Sequence, residues 1–85
     1  VYRPDLDIPL EINFKLAGSS EVELGLYDLA GHYITDVGKG QFSGGWNRVQ
    51  WNGQRTDGAA IGSGVYLITL HSDFGDYYKK VILVR

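Results

Sequence analysis

Residues 21–31, with the sequence EVELGLYDLAG, decide the fold of this chain. Val22, Leu24 and Leu26 alternate with polar or small residues, a period of two that predicts a β-strand with one dry face and one wet face. The strand ends in Asp28-Leu29-Ala30-Gly31, which predicts a tight turn whose glycine takes a positive φ. This stretch therefore indicates antiparallel β-structure and argues against a helix.

The same alternation continues on both sides of that stretch. Upstream, residues 10–16 alternate apolar and polar side chains, and we expect this strand to pair with the Val22 strand or to face it across a core. Downstream, further strands are predicted at residues 32–37, 46–51, 65–70 and 77–85. Residues 38–45 hold four glycines, so we expect loop and sheet edge there.

Alternation also assigns the two tryptophans to opposite faces. Trp51 shares a face with Val49 and is predicted to lie in the core, whereas Trp46 is left on the wetter side. The turn dipeptides Asn52-Gly53 and Asp57-Gly58 then predict a long loop before the next strand.

The count is six or seven strands with no helix, which predicts an all-β, immunoglobulin-like or fibronectin-III-like antiparallel β-sandwich. Residues 9–85 would form this single domain. Residues 1–8 would be an extended N-terminal arm or linker, because they have no obvious place in the sandwich. The chain starts at Val1 and contains no methionine, so we expect a module of a longer protein.

Composition excludes several classes of function. The chain has 85 residues, 44% of them apolar, and a net charge of −2 with its eight basic residues scattered. Nucleic acid is therefore not an expected partner. No apolar run reaches the roughly 20 residues of a membrane-spanning helix, so membrane insertion is not expected. The absence of cysteine excludes disulfides, thiolate metal sites and a cysteine nucleophile.

No set of residues predicts a reaction, a metal site or a cofactor. His32 and His71 lie on separate predicted strands without metal-ligand spacing, and no serine lies in a Gly-x-Ser-x-Gly turn. Loop aspartates offer oxygen ligands for calcium, but without a calcium-loop pattern we interpret them as solvated; they are Asp5, Asp7, Asp57 and Asp73. The chain is therefore predicted not to be an enzyme.

Aromatic and basic residues provide the candidate interaction surface. It consists of Trp46, Tyr77, Lys79 and Lys80. Trp46, with Tyr33, Tyr77 and Tyr78, could also stack on sugar rings, and Trp46 is the best single candidate for such a contact. The last strand would be exposed at a sheet edge, where another chain can pair with it.

The order of the turn and strand motifs resembles a known family. It is similar to the immunoglobulin-like domain named after the flagellar hook-capping protein, and to the related C-terminal sorting domains of the type IX secretion system. The resemblance runs from about Pro9 to Arg85, and the motifs that carry it are Tyr27-Asp28, Gly31-His32, Trp51-Asn52-Gly53, Asp57-Gly58, Gly64-Val65-Tyr66 and Lys80-Val81-Ile82-Leu83.

Three positions depart from the family pattern. His32 stands where an arginine is usual, Asn52 where an aspartate is usual, and Trp46 where the family tends to be polar. The shared motifs are interpreted as a scaffold, with Trp51 and Tyr66 as packing anchors and the glycines as corners.

The resemblance implies a non-catalytic module of an exported bacterial protein, extracellular or at the cell surface after passing through the periplasm. Its partners would be other domains of its parent protein, the secretion or surface-assembly machinery, or neighbouring copies. Two alternatives remain open: a subunit of an extracellular filament or stalk joined through edge strands or the N-terminal arm, and a carbohydrate-binding module.

Overall fold

The structure, a computed structural model, describes residues 2–4 and 8–85. These residues form six strands in two antiparallel sheets, with no α-helix among them. The strands are β1 (Leu10–Leu16), β2 (Ser20–Asp28), β3 (Tyr33–Phe42), β4 (Gly45–Trp51), β5 (Gly64–Ser72) and β6 (Gly75–Leu83). One sheet has the order β3-β2-β5-β6 and the other is the pair β1-β4. The predicted all-β sandwich is confirmed.

A single apolar core lies between the two sheets. Val22, Leu24 and Leu26 of β2 are fully buried, as their alternation predicts. They share one cluster with Phe14 of β1 and Trp51 of β4, which come from the other sheet. β1 pairs with β4 and not with β2, so the first two strands face each other across the core.

The glycine-rich segment after Val37 corrects the prediction of a loop, because β3 continues to Phe42. Gly38 pairs with Leu24 of β2, and a Cβ atom added at Gly38 would lie 3.1 Å from the Val49 side chain. Glycine is therefore needed here for close approach of the facing sheet, not for a turn. β3 also has register shifts opposite Leu24 and Leu26, a bulged pattern that a period of two does not reveal.

β5 and β6 form a regular hairpin at one side of the larger sheet. β5 lies between β2 and β6, which explains why it is apolar on both faces. The hairpin register runs without a shift from Ser72↔Gly75 to Gly64↔Leu83. β6 is one of the two edge strands of this sheet, and β3 is the other.

The long loop between β4 and β5 is held against the sandwich by a buried side chain and by hydrogen bonds. Ile61, the large apolar residue in this loop, is only 4% exposed and belongs to the core. The Arg85 guanidinium donates to the carbonyl oxygens of Ile61 and of Gly53, the latter at 2.7 Å. The Arg85 side chain therefore holds both ends of this loop close to the residues that follow β6.

The N-terminal arm also contacts the sandwich. Tyr2 is 6% exposed and belongs to the core cluster. Its backbone forms a parallel bridge with Leu83 at the end of β6, through hydrogen bonds to Ile82 and Val84. The arm predicted over residues 1–8 thus contributes a core side chain; residue 1 and residues 5–7, including Asp5 and Asp7, lie outside the described residues.

Candidate functional site

The turn after β2 is closed by the Asp28 side chain. Its Oδ1 accepts hydrogen bonds from the backbone N–H groups of Ala30 and His32, each at 2.9 Å. Gly31 has a φ of 89°, the left-handed conformation expected for this turn. The His32 backbone N–H is the main cause that lowers the pKa of Asp28, and the His32 imidazole, 3.1 Å from Oδ2, adds to it. The Tyr27-Asp28 and Gly31-His32 motifs, part of the shared motif series that we call the signature, therefore form a turn that fixes the backbone.

Trp51 and Gly53 form the junction of the N-terminal arm with β4. The Trp51 side chain is 5% exposed, and its Nε1 donates to the Gln54 carbonyl oxygen at 3.1 Å. The Tyr2 hydroxyl donates to the Trp51 carbonyl oxygen at 3.2 Å, and the two rings lie 6.2 Å apart. Gly53 has a φ of 78°, and a Cβ there would lie 2.8 Å from Pro4. The signature residues at this point hold the arm and carry no reactive group.

The remaining signature residues also serve the scaffold. Gly64 begins β5, and the half-buried Tyr66 donates from its hydroxyl to the Gly62 carbonyl oxygen at 2.8 Å. Tyr27 packs edge-on against Tyr33, with ring centroids 5.6 Å apart.

The structure separates the residues of the candidate interaction surface. Trp46 is 74% exposed and lies on β4 opposite Lys15, on the outer side of the two-stranded sheet. Tyr77, Lys79 and Lys80 are all exposed on β6, at the edge of the other sheet. Trp46 and Tyr77 therefore lie on different sheets, so Trp46 is separated from the tyrosines that were predicted to stack on sugars with it.

A shallow hollow of about 450 Å³ lies on the outer face of the four-stranded sheet. Its rim includes Tyr27, Tyr78 and His71. Near its end the Tyr33 hydroxyl donates to Asp36 at 2.6 Å, and this hydrogen bond raises the pKa of Tyr33. Sequence reasoning named Tyr33 and Tyr78 but missed Tyr27, because the pairing of Tyr27 with Tyr33 follows a register shift between β2 and β3.

Both histidines pair with a carboxylate close in sequence. His32 contacts Asp28, and His71 contacts Asp76 across the β5-β6 hairpin. Within residues 2–4 and 8–85, no group of three histidine or acidic side chains is placed to hold a metal ion. In the described part of the chain, no helix is long and apolar enough to cross a membrane.

The open side of the sandwich is the most distinctive surface. The two-stranded sheet covers only part of the larger one, and a groove of about 350 Å³ remains between β1 and β6. Leu10 and Ile12 line it from β1, and Lys79 and Val81 line it from β6. Glu11 and Asn13 also line the groove, so its wall is part apolar and part polar. An edge strand next to a groove is a geometry that can accept a further strand.

Comparison with known proteins supports the fold. No family model and no curated protein matches the chain. A solved structure of PorZ from Porphyromonas gingivalis, described as an essential bacterial surface component of the type IX secretion system, matches with a TM-score of 0.53 and 18% sequence identity. The match covers 94% of this chain and 12% of PorZ, so this chain corresponds to a small part of that protein. At this identity the likeness shows the fold alone.

Proposed function

We propose that this chain is a non-catalytic, extracytoplasmic β-sandwich module of a larger bacterial protein, where it serves as a C-terminal secretion or surface-attachment domain or as an accessory structural domain. The observation that carries the proposal is the match of nearly the whole chain to one segment of a surface component of the type IX secretion system. The order of the Tyr27-Asp28, Trp51-Asn52-Gly53 and Gly64-Val65-Tyr66 motifs, which resembles hook-capping and sorting domains, supports the same proposal.

The structure of the signature residues is consistent with a module of this kind. Asp28, Trp51 and Gly53 fix turns and pack the core, so their recurrence in such domains follows from the fold. A rigid sandwich with short turns loses little conformational entropy when its surface binds a receptor. The contact with secretion machinery would then come from exposed residues. Their longest continuous run among the described residues is 73–80, which covers the β5-β6 turn and most of β6.

The filament alternative is not favoured in the form that uses the arm. Tyr2 packs against Trp51 of its own domain, so its side chain is not presented to a neighbouring copy. Assembly of copies through the β6 edge is a different form of the filament alternative. Whether two β6 strands can pair depends on the charges of their side chains.

Export of a reporter tests the proposed function. The chain would be fused to the C-terminus of a fluorescent protein that carries a signal peptide, in a bacterium with a type IX secretion system. We expect the fusion to reach the surface or the medium, and to remain in the periplasm of a matched strain without that system. Retention of a folded fusion in the periplasm of both strains would contradict a sorting role.

His32 provides a matched variant for that assay. It occupies the position where the sorting domains usually carry arginine, and its side chain is exposed. If the machinery contacts this position, His32→Arg will increase export, whereas His71→Arg, the same change at the other exposed histidine, will not. An equal response to both variants would show that this position is not recognised.

A further inference from the structure

We infer that the free edge of β6 and the adjoining groove form a docking site for an extended peptide of another protein, one in which apolar residues alternate with acidic residues. This inference goes beyond the proposed function, because it concerns the chemistry of a bound strand whatever brings the module to the surface. It depends on three observations: which backbone groups β6 leaves unpaired, what already pairs with its end, and which side chains surround it.

Alternate residues of β6 point their backbone groups away from β5. The Tyr2 N–H donates to the Ile82 carbonyl oxygen at 2.7 Å, and the Val84 N–H donates to the Tyr2 carbonyl oxygen at 2.9 Å. The backbone N–H and C=O groups of Ile82 and Val84 therefore point away from β5, toward the open edge of the sheet. Because hydrogen-bonded and non-hydrogen-bonded pairs alternate in an antiparallel ladder, and this ladder has no register shift, Lys80, Tyr78 and Asp76 face outward too.

The edge already accepts a strand at one end. Tyr2 forms a parallel bridge with Leu83, so main-chain pairing at the outer side of β6 occurs within the molecule itself. From Gly75 to Val81 the described residues provide no such partner. A stretch of seven residues extends about 20 Å at strand spacing, enough for a peptide of five or six residues to continue the ladder.

The side chains around this edge define what the incoming strand must carry. One set of its side chains would point into the groove between β1 and β6, against Ile12 and Val81, and we expect these to be apolar. The other set would lie on the outer face beside Lys80, which pairs with Leu67 in the ladder. Carboxylates fit there, because Lys80 makes no salt bridge to any described residue.

The same lysines argue against a second copy of this chain as the occupant. Lysine on an edge strand opposes edge-to-edge association of identical molecules. Two copies of β6 paired with each other would bring four lysines together, and like charges on paired strands are destabilising. The edge is thus open to main-chain pairing but selective for a partner of opposite charge.

Peptide titration followed by NMR tests this inference on the full 85-residue chain. The probe is a blocked ten-residue peptide of alternating valine and glutamate, and the control replaces each glutamate with lysine. We expect saturable shifts of the Tyr78 and Lys80 amide signals with the glutamate peptide, and binding at least about threefold weaker with the lysine peptide. The variant Lys79→Glu/Lys80→Glu is expected to reverse this preference.

Backbone methylation of the peptide separates strand pairing from simple charge attraction. A peptide N-methylated on one alternate set of residues should lose binding, and one methylated on the other set should keep it, because only one set faces β6. Equal binding of both methylated peptides, equal binding of the glutamate and lysine peptides, or shifts confined to other surfaces would overturn the inference. No secretion machinery takes part, so these outcomes are independent of the export assay.

Discussion

At the scale of single residues, the signature acts through contacts that hold loops and turns in place. Trp51 packs on Tyr2 from the arm and donates to Gln54 in the loop. Asp28 closes one turn with two backbone hydrogen bonds. The burial of Trp51 and the positive φ of Gly31 were predictable, because alternation and turn chemistry act locally. The contacts of Arg85 with Ile61 and Gly53 were not predictable, since they join residues distant in sequence.

Trp51→Ala tests the core position of this residue. The substitution removes a buried indole, so we expect a loss of about 3–5 kcal/mol in the free energy of unfolding. Trp46→Ala is the matched control, because Trp46 is exposed on the same strand, and it should change stability by no more than about 0.5 kcal/mol. Chemical denaturation of both variants gives the comparison. A loss below about 1 kcal/mol for Trp51→Ala would show that the indole is not in the core.

The Asp28 carboxylate makes the free energy of unfolding depend on pH in the acidic range. The His32 N–H lowers the pKa of Asp28 in the folded state, so the stabilisation is present above the unfolded pKa of about 4 and is lost as the pH falls through the folded pKa. Asp28→Asn removes the charge and keeps an acceptor oxygen. We expect the wild type to be more stable than this variant at pH 6, with the difference shrinking below pH 4. A difference that stays constant from pH 6 to pH 2 would contradict the assignment.

At the scale of elements, one buried hydroxyl joins the turn between β5 and β6 to the start of β2. Ser20 is 1% exposed; its Oγ accepts from the Asp73 N–H at 3.0 Å and donates to the Glu21 carbonyl oxygen at 2.8 Å. The sequence does not single out Ser20, because a serine at the start of a strand carries no sign of a contact 53 residues away. Sequence reasoning also interpreted Gly38 as loop, although in β3 it allows Val49 of the facing sheet to approach.

Ser20→Ala measures this connection. The alanine leaves the Asp73 N–H without its protein acceptor, and we expect a loss of about 1 kcal/mol in the free energy of unfolding. Ser19→Ala, at the exposed neighbouring position, should be neutral within about 0.5 kcal/mol. Equal denaturation midpoints for the two variants would mean that the hydroxyl does not hold the hairpin.

At the scale of the whole molecule, the N-terminal arm connects the two sheets. Tyr2 contacts Trp51 of the two-stranded sheet and bridges to Leu83 of the four-stranded one. The sequence predicted the sandwich, since six strands with alternating patterns leave few other ways to bury 44% apolar residues. It did not predict the pairing of the arm with β6, because a short segment that contains Pro4 carries no periodic signal.

Tyr2→Ala tests the contribution of the arm to the folded state. Loss of a core aromatic that contacts both sheets should cost about 3 kcal/mol, measured by chemical denaturation. Ile8→Ala is the control within the same arm, because Ile8 is 63% exposed and should contribute little. If the two substitutions were equally mild, the arm would not be part of the domain.

The central claim is that the outer edge of β6 is open to strand pairing from Gly75 to Val81. Residue-resolved amide hydrogen exchange of the free protein measures this directly. The Tyr77 and Lys79 amides bond to β5, and we expect them to exchange at least about tenfold more slowly than the outward amides of Tyr78 and Lys80. Equal protection of all four amides would contradict the claim, because it would mean that the outer side of β6 is already paired.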